Sequence, residues 1–205
     1  LILYDFNGDG LVEVILGCKN RIYRNLGEGR FKAETLCPKF SETVFNVTLE
    51  DLSGDGVVDV VACGHDGIYL IEGQLDGMFQ GEARLAWRAP KKVLDPMVMT
   101  TGDIDGDGDD DSFLGGCAGY LGTLMVNDGN GRFSQNAFTA AKRHKISEDL
   151  GALFFDADGD GDLDLYVVSG SVEAPPNHGS LTDRLYLNDG KGGFSTAPFG
   201  AVPLD

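Results

Sequence analysis

Aspartates at alternate positions, interleaved with glycine, are the residues of this sequence whose types and spacing could do chemistry. Four stretches carry them: DFNGDGLVE at 5–13, DLSGDGVVD at 51–59, DIDGDGDDD at 103–111 and DADGDGDLD at 156–164. The first position is Asp5, Asp51, Asp103 or Asp156, and the fifth is Asp9, Asp55, Asp107 or Asp160. The third always bears a side-chain oxygen: Asn7, Ser53, Asp105 or Asp158. The ninth is an acid: Glu13, Asp59, Asp111 or Asp164. Like charges this close repel, so a bare loop is a poor home for them. Asp and Gly are turn formers, which accounts for the glycines at the fourth and sixth positions but not for the number of acids. A hard cation accounts for both. Ca²⁺ takes roughly six to eight oxygen ligands, and a tight loop offers alternate side chains to one centre. The expected ligands are the side chains of positions one, three, five and nine, with the backbone carbonyl of position seven: Leu11, Val57, Asp109 or Asp162. Up to four Ca²⁺ are expected, one per loop, with Ser53 a neutral and weaker ligand.

The loop is not an EF-hand, which needs a bidentate Glu at position twelve. That position is Leu16, Ala62, Leu114 or Val167, apolar each time. The acids end at nine, and a strand-like run follows instead.

The elements that must position these loops repeat with them. The first aspartates stand 46, 52 and 53 residues apart. Ahead of each loop lies a short apolar stretch (LILY, VFNVTLE, PMVMTTG, GALFF), and after it a second (EVILG, DVVACG, DSFLGG, DLYVVSG). A third follows at 21–25, 67–73, 122–128 and 184–190. Three of these run into a glycine-rich turn and a Phe (NLGEGRF, NDGNGRF, NDGKGGF), a hairpin signal; the second copy, EGQLDGMF, is looser. Each unit therefore reads as four short antiparallel strands, with the acidic loop between the first and second. Residues 137–145 read as a linker with a turn or two of helix, and 79–97 and 171–183 as loops. One four-stranded sheet cannot bury both its faces, and repetition at this period means blades stacked on one another. The fold expected is all-β, a β-propeller with blades at about 1–43, 44–95, 96–147 and 148–205.

With 16 basic and 33 acidic residues the formal charge is −17. Four Ca²⁺ would bring it to about −9. Such a chain lacks the basic footprint that nucleic acid or an anionic membrane requires. The basic residues Arg84, Arg88, Lys91, Lys92 and 142–145 form modest clusters, read as solvated loop. Hydrophobic residues make up 42%, enough for a packed core, and no run is apolar and long enough to span a membrane. Cys18, Cys63 and Cys117 follow the second strand in three successive units and read as small core-filling free thiols. A disulfide involving Cys37 is the alternative.

A DxDxDGxxD loop between the first two strands of a four-stranded blade resembles the FG-GAP/VCBS repeats of integrin alpha-subunit propellers and of many bacterial secreted or surface proteins. The fourth unit, FFDADGDGDLDLYVVSG…DRLYLNDGKGGF, looks like bacterial VCBS proteins of the ASPIC/UnbV type. The resemblance covers nearly the whole chain. The Phe-Gly and Gly-Ala-Pro signatures that name the family are mostly absent, and an ASPIC-type domain is not expected within these 205 residues. The resemblance implies a seven-bladed propeller, with further blades outside this segment.

Two functions from different classes fit. In one, the metals are structural and the propeller is an extracellular, cell-surface or periplasmic recognition or scaffold module. Its loops, with aromatics such as Trp87, would bind a protein or glycan on a propeller face. In the other, the fold carries a polysaccharide lyase or hydrolase. His65, His144 and His178 are scattered and form no catalytic constellation, and no GxSxG, HExxH or P-loop motif occurs. Recognition is the reading the sequence favours.

Overall fold

In the computed structural model, residues 1–40, 44–64, 66–89, 98–116, 120–144, 146–172 and 174–198 are described. They form sixteen strands in four separate sheets of four. The chain divides into two compact units, Leu1–Val93 and Leu94–Asp205.

The first unit holds two sheets. Blade 1 consists of β1 (Ile2–Tyr4), β2 (Glu13–Leu16), β3 (Arg21–Asn25) and β4 (Phe31–Thr35). Blade 2 consists of β5 (Val44–Glu50), β6 (Asp59–Gly64), β7 (Gly67–Ile71) and β8 (Arg84–Arg88). The second unit holds blade 3, with β9 (Met99–Gly102), β10 (Asp111–Leu114), β11 (Thr123–Asn127) and β12 (Phe133–Asn136), and blade 4, with β13 (Glu148–Phe155), β14 (Asp164–Gly170), β15 (Arg184–Leu187) and β16 (Ser195–Thr196). Within every sheet the strands pair antiparallel in chain order, the meander of a propeller blade. No helix among the described residues is long and apolar enough to cross a membrane.

Strand periodicity sets what each blade buries. Side chains alternate between faces, so Ile15 and its cross-strand partner Ile22 point the same way. Both lie in one core with Val60, Ala62, Ile71 and Phe79 of blade 2. In the second unit, Phe113 and Leu124 of blade 3 share a core with Leu165, Val167 and Tyr186 of blade 4. Phe138, just beyond β12, packs edge-on against both Phe113 and Tyr186.

Two stretches and the cysteines differ from the sequence expectation. The segment 79–97 is not all loop: β8 lies inside it, and Trp87 is a half-buried strand residue opposite Ile68. The Gly and Pro residues that flank RLAWR masked so short a strand. Residues 171–183, read as a loop, contain the 3-10 turn Gly179–Leu181, whereas the turn of helix expected within 137–145 is present as the 3-10 turn Ala140–His144. Cys18 and Cys63 are not equivalent: Cys18 is exposed on the 3-10 turn Gly17–Lys19, and Cys63 is buried inside β6. Cys18, Cys37 and Cys63 are free thiols, and Cys117, His65 and 90–97 lie outside the described residues.

Candidate functional site

Each acidic loop joins the first strand of its blade to the second and makes one hydrogen-bond pattern. The first aspartate accepts from two amides, its Oδ1 from position four and its Oδ2 from position six. For Asp5, Asp51, Asp103 and Asp156 these eight bonds measure 2.7–3.2 Å. Holding both amides toward one carboxylate bends the backbone left-handed at both places. Gly8 and Gly10, for example, sit at φ 69° and 83°. Residues with a Cβ avoid that region, which is why both positions are glycine in every copy. Position five then accepts from the amide of position seven, in Asp9, Asp55, Asp107 and Asp160 alike, at 2.8–3.0 Å.

The ninth residue opens the second strand and is fully buried in all four copies. One carboxylate oxygen accepts from the amide of position two: Phe6, Leu52, Ile104 or Ala157. The other accepts from an amide at the end of the third strand: Asn25, Gly73, Asn127 or Asn188. Glu13, Asp59, Asp111 and Asp164 thus stitch loop and sheet together. Burial pushes the Asp111 carboxyl up to about 7, against the pull of the Asn127 and Ile104 amides. Burial likewise raises Asp59.

A second set of residues completes the stitch and escaped the sequence reading. Asn25, Asn127 and Asn188 each turn the side-chain amide onto the carbonyl of loop position eight: Val12, Asp110 and Leu163. Asn188 also reaches the Ile104 carbonyl of the neighbouring blade at 2.8 Å. In blade 2 the same place is Gly73, where a Cβ would collide with the Val58 carbonyl, again position eight. There the backbone makes the close approach that the Asn side chain bridges elsewhere. The signal was present in RIYRN, LMVN and LYLN, where the Asn reads as part of a hairpin turn.

The acids converge in the second unit. One oxygen each of Asp103, Asp105 and Asp107 lies within 4.8 Å of the others, and the same holds for Asp156, Asp158 and Asp164. Among the described residues no three acids of the first two loops gather as closely, for position three there is Asn7 or Ser53. Asp105 Oδ1 is buried with no hydrogen-bond partner, and so is Ser53 Oγ. Burial raises the Asp105 carboxyl above its ordinary value, and the charges of Asp107 and Asp103 add to it. Desolvation within the loop, then repulsion from Asp160, does the same to Asp158 and Asp162. The position-seven side chains of Asp109 and Asp162 lie against the hairpin glycines Gly129 and Gly190, where Leu11 and Val57 make apolar approaches to Gly27 and Gly73. Oxygen-only donors, mutual repulsion and an unpartnered buried oxygen fit a hard cation.

Other candidates have structural partners. His178 Nδ1 meets the Ser180 hydroxyl at 2.8 Å and caps the 3-10 turn Gly179–Leu181. Arg88 pairs with Asp66 across blade 2.

A model of the FG-GAP-like repeat matches residues 5–62, 51–114 and 103–167. Each match starts at the first aspartate of one loop and ends in the second strand beyond the next. Together they span more than half of the chain, which therefore belongs to the FG-GAP-like repeat family. No curated protein matches it. Among solved structures it is similar to a lectin of Agrocybe aegerita, described for its recognition of non-reducing terminal N-acetylglucosamine. The identity is 23% and the TM-score 0.60, over 96% of this chain and 50% of that one. It is also similar to the V. cholerae biofilm matrix protein Bap1, at 21% identity and TM-score 0.48 over 94% of this chain and 27% of that one. A third is the Photorhabdus luminescens Tc holotoxin pore, at 25% identity and TM-score 0.48 over 97% of this chain and 9% of that one. The chain spans half the length of the lectin and less of the other two.

Proposed function

We propose that this chain is a calcium-stabilised recognition or scaffold module that acts outside the cytoplasm, at the cell surface, in the extracellular space or in the periplasm. The observation that carries the metal reading is the buried, unpartnered Asp105 Oδ1 beside Asp103 and Asp107. A buried acceptor without a donor costs free energy unless a cation or water meets it. Asp103, Asp105, Asp107 and Asp111 would hold the ion in the third loop, and Asp156, Asp158, Asp160 and Asp164 in the fourth. Asp5, Asn7, Asp9 and Glu13 would hold a weaker one in the first, and Asp51, Ser53, Asp55 and Asp59 in the second. The carbonyls of Leu11, Val57, Asp109 and Asp162 would complete the sets. The ions' role is structural: each neutralises a carboxylate cluster and clamps the link between two strands. Weak, preformed sites of this kind suit the millimolar calcium found outside cells.

The recognition half of the proposal rests on the lectin-like fold, with a glycan or protein bound by loops on a blade edge and further blades of the same repeat completing the scaffold. Calorimetric titration of metal-stripped protein with Ca²⁺ tests the metal half. Saturable binding with a rise in melting temperature is expected, and a flat titration would refute it. A glycan array that includes terminal N-acetylglucosamine tests the other half. Silence on the array together with calcium binding would leave a scaffold without a sugar ligand.

A further inference from the structure

The hairpins between the third and fourth strands share one residue. Counted from the residue whose amide holds the ninth acid, the fifth place is Gly29, Gly77, Gly131 or Gly192, with φ of 72°, 72°, 64° and 71°. Within each compact unit one of these glycines also makes a close approach to the blade before it. Gly77 of blade 2 lies on the first loop, where a Cβ would come within 2.7 Å of the Phe6 carbonyl oxygen. Gly192 of blade 4 lies on the third loop, and its amide donates to the Ile104 carbonyl at 2.9 Å. Phe6 and Ile104 are both position two of their loops. In both units a side chain of the earlier blade grips the glycine's carbonyl: Arg24 donates to Gly77 at 2.7 Å and Asn136 to Gly192 at 2.9 Å.

Position two of the third loop therefore faces two ways. The Ile104 amide donates to Asp111, the ninth acid of its own blade, at 3.1 Å. Its carbonyl takes two donors from blade 4, the Gly192 amide and the Asn188 side chain. A carbonyl oxygen has two lone pairs, and both are in use. The next residue is Asp105, whose Oδ1 is buried without a partner. A Cβ on Gly192 would stand 3.8 Å from the Asp105 Cβ, and one on Gly106 3.8 Å from the Gly190 carbonyl oxygen. The hairpin of blade 4 thus rests on the stretch of backbone that carries the position-three acid.

We propose that the third loop is a joint between blades, in which a cation held by Asp105 and its neighbours fastens the 189–193 hairpin of blade 4 onto blade 3. This joint rests on the calcium reading above and gives the third ion a second task. Without a cation, Asp103, Asp105 and Asp107 repel one another beneath the hairpin, and the loop relaxes away from it. With one, positions two and three stay where the hairpin needs them. Linkage runs both ways: a cation that favours the docked hairpin is favoured by it to the same factor.

The experiment is hydrogen exchange of the 205-residue chain, read peptide by peptide in a mass spectrometer across a calcium titration that starts in EDTA. Calcium should slow exchange at 103–111 and, over the same concentrations, at 189–193. Asp105→Ala should abolish the slowing at both, and Asp105→Asn, which keeps the side chain's shape, should weaken both in step. Asn136→Ala removes a grip on the hairpin and no proposed ligand. It should raise the calcium needed to protect 103–111 by about 5-fold or more, the lower end of ordinary coupling between sites, and leave 156–164 as it was. Slow exchange across β14 would show each variant folded. Protection of 103–111 without 189–193 would overturn the joint and leave calcium binding standing. Protection of 189–193 that survives Asp105→Ala, or an Asn136→Ala variant in which 103–111 keeps its wild-type calcium dependence, would overturn it as well. No calcium effect on any peptide would overturn the calcium reading and the joint together.

Discussion

Loops one and two, in the first compact unit, and loops three and four, in the second, fold alike yet differ in charge. All four use the first aspartate to gather two glycine amides and the ninth acid to tie loop to sheet. Among the described residues, only the last two bring three acids within reach of one ion. The comparison separates two jobs that the sequence merges. The acids at one and nine have backbone partners and would be needed without any metal. The acid at three has at most the amide two residues on, as Asp158 has that of Asp160, and ties no loop to its sheet; the extra aspartates at 109, 110 and 162 tie none either. The case for a cation is therefore carried by position three.

The largest effect should come from breaking what the loops share. Asp59→Ala strips the acceptor from the buried amide of Leu52 and the half-buried amides of Ser53 and Gly73. Each orphaned group costs ~1–3 kcal/mol, so a loss of roughly 3 kcal/mol or more is expected. Urea unfolding should show it in EDTA as well as in calcium. A loss confined to calcium would mean that the ninth acid is a ligand and little else.

A smaller effect should sharpen the difference between the loops. Asp158→Ala should lower the melting temperature in calcium and leave the EDTA value nearly unchanged, because the carboxylate is exposed and accepts only the Asp160 amide. An ion at a hundred times its Kd adds about 2.7 kcal/mol, so losing most of one site costs up to that much. Ser53→Asp should work the other way and tighten calcium binding in the second loop. Equal losses in both buffers for Asp158→Ala would remove it from the ligand set.

The smallest effect contrasts thiols. Burial pushes the Cys37 and Cys63 thiols up to about 12, and Cys18 is exposed. At pH 8 a thiol-specific reagent should label Cys18 in the native protein quickly, whereas Cys37 and Cys63 should wait for unfolding. The unfolded chain releases these two protons near pH 9 and the folded chain holds them to about 12, so the native state weakens as pH rises above 9. Native labelling of all three at one rate would contradict the burial of β6.

Much of this was legible along the chain. Strands on either side of each loop follow from apolar runs bounded by Asp and Gly. Loop geometry follows from one-to-six spacing, since position one bonds to amides only three and five residues away. β8 was missed because a strand of five residues between Gly and Pro gives too little pattern, and its partner Gly67–Ile71 lies far back in sequence.

The sequence by itself determined the repeat, the antiparallel four-strand unit and the place of the acidic loops, because these depend on residues within a few positions of one another. Tertiary structure decided which acids are buried struts and which oxygens lack partners. It also decided that Asn188 clamps a neighbouring blade and which residues of blades 1 and 2, and of blades 3 and 4, share a core. Those outcomes depend on amides and side chains 12 to 84 residues away, brought together only when the sheets form and stack.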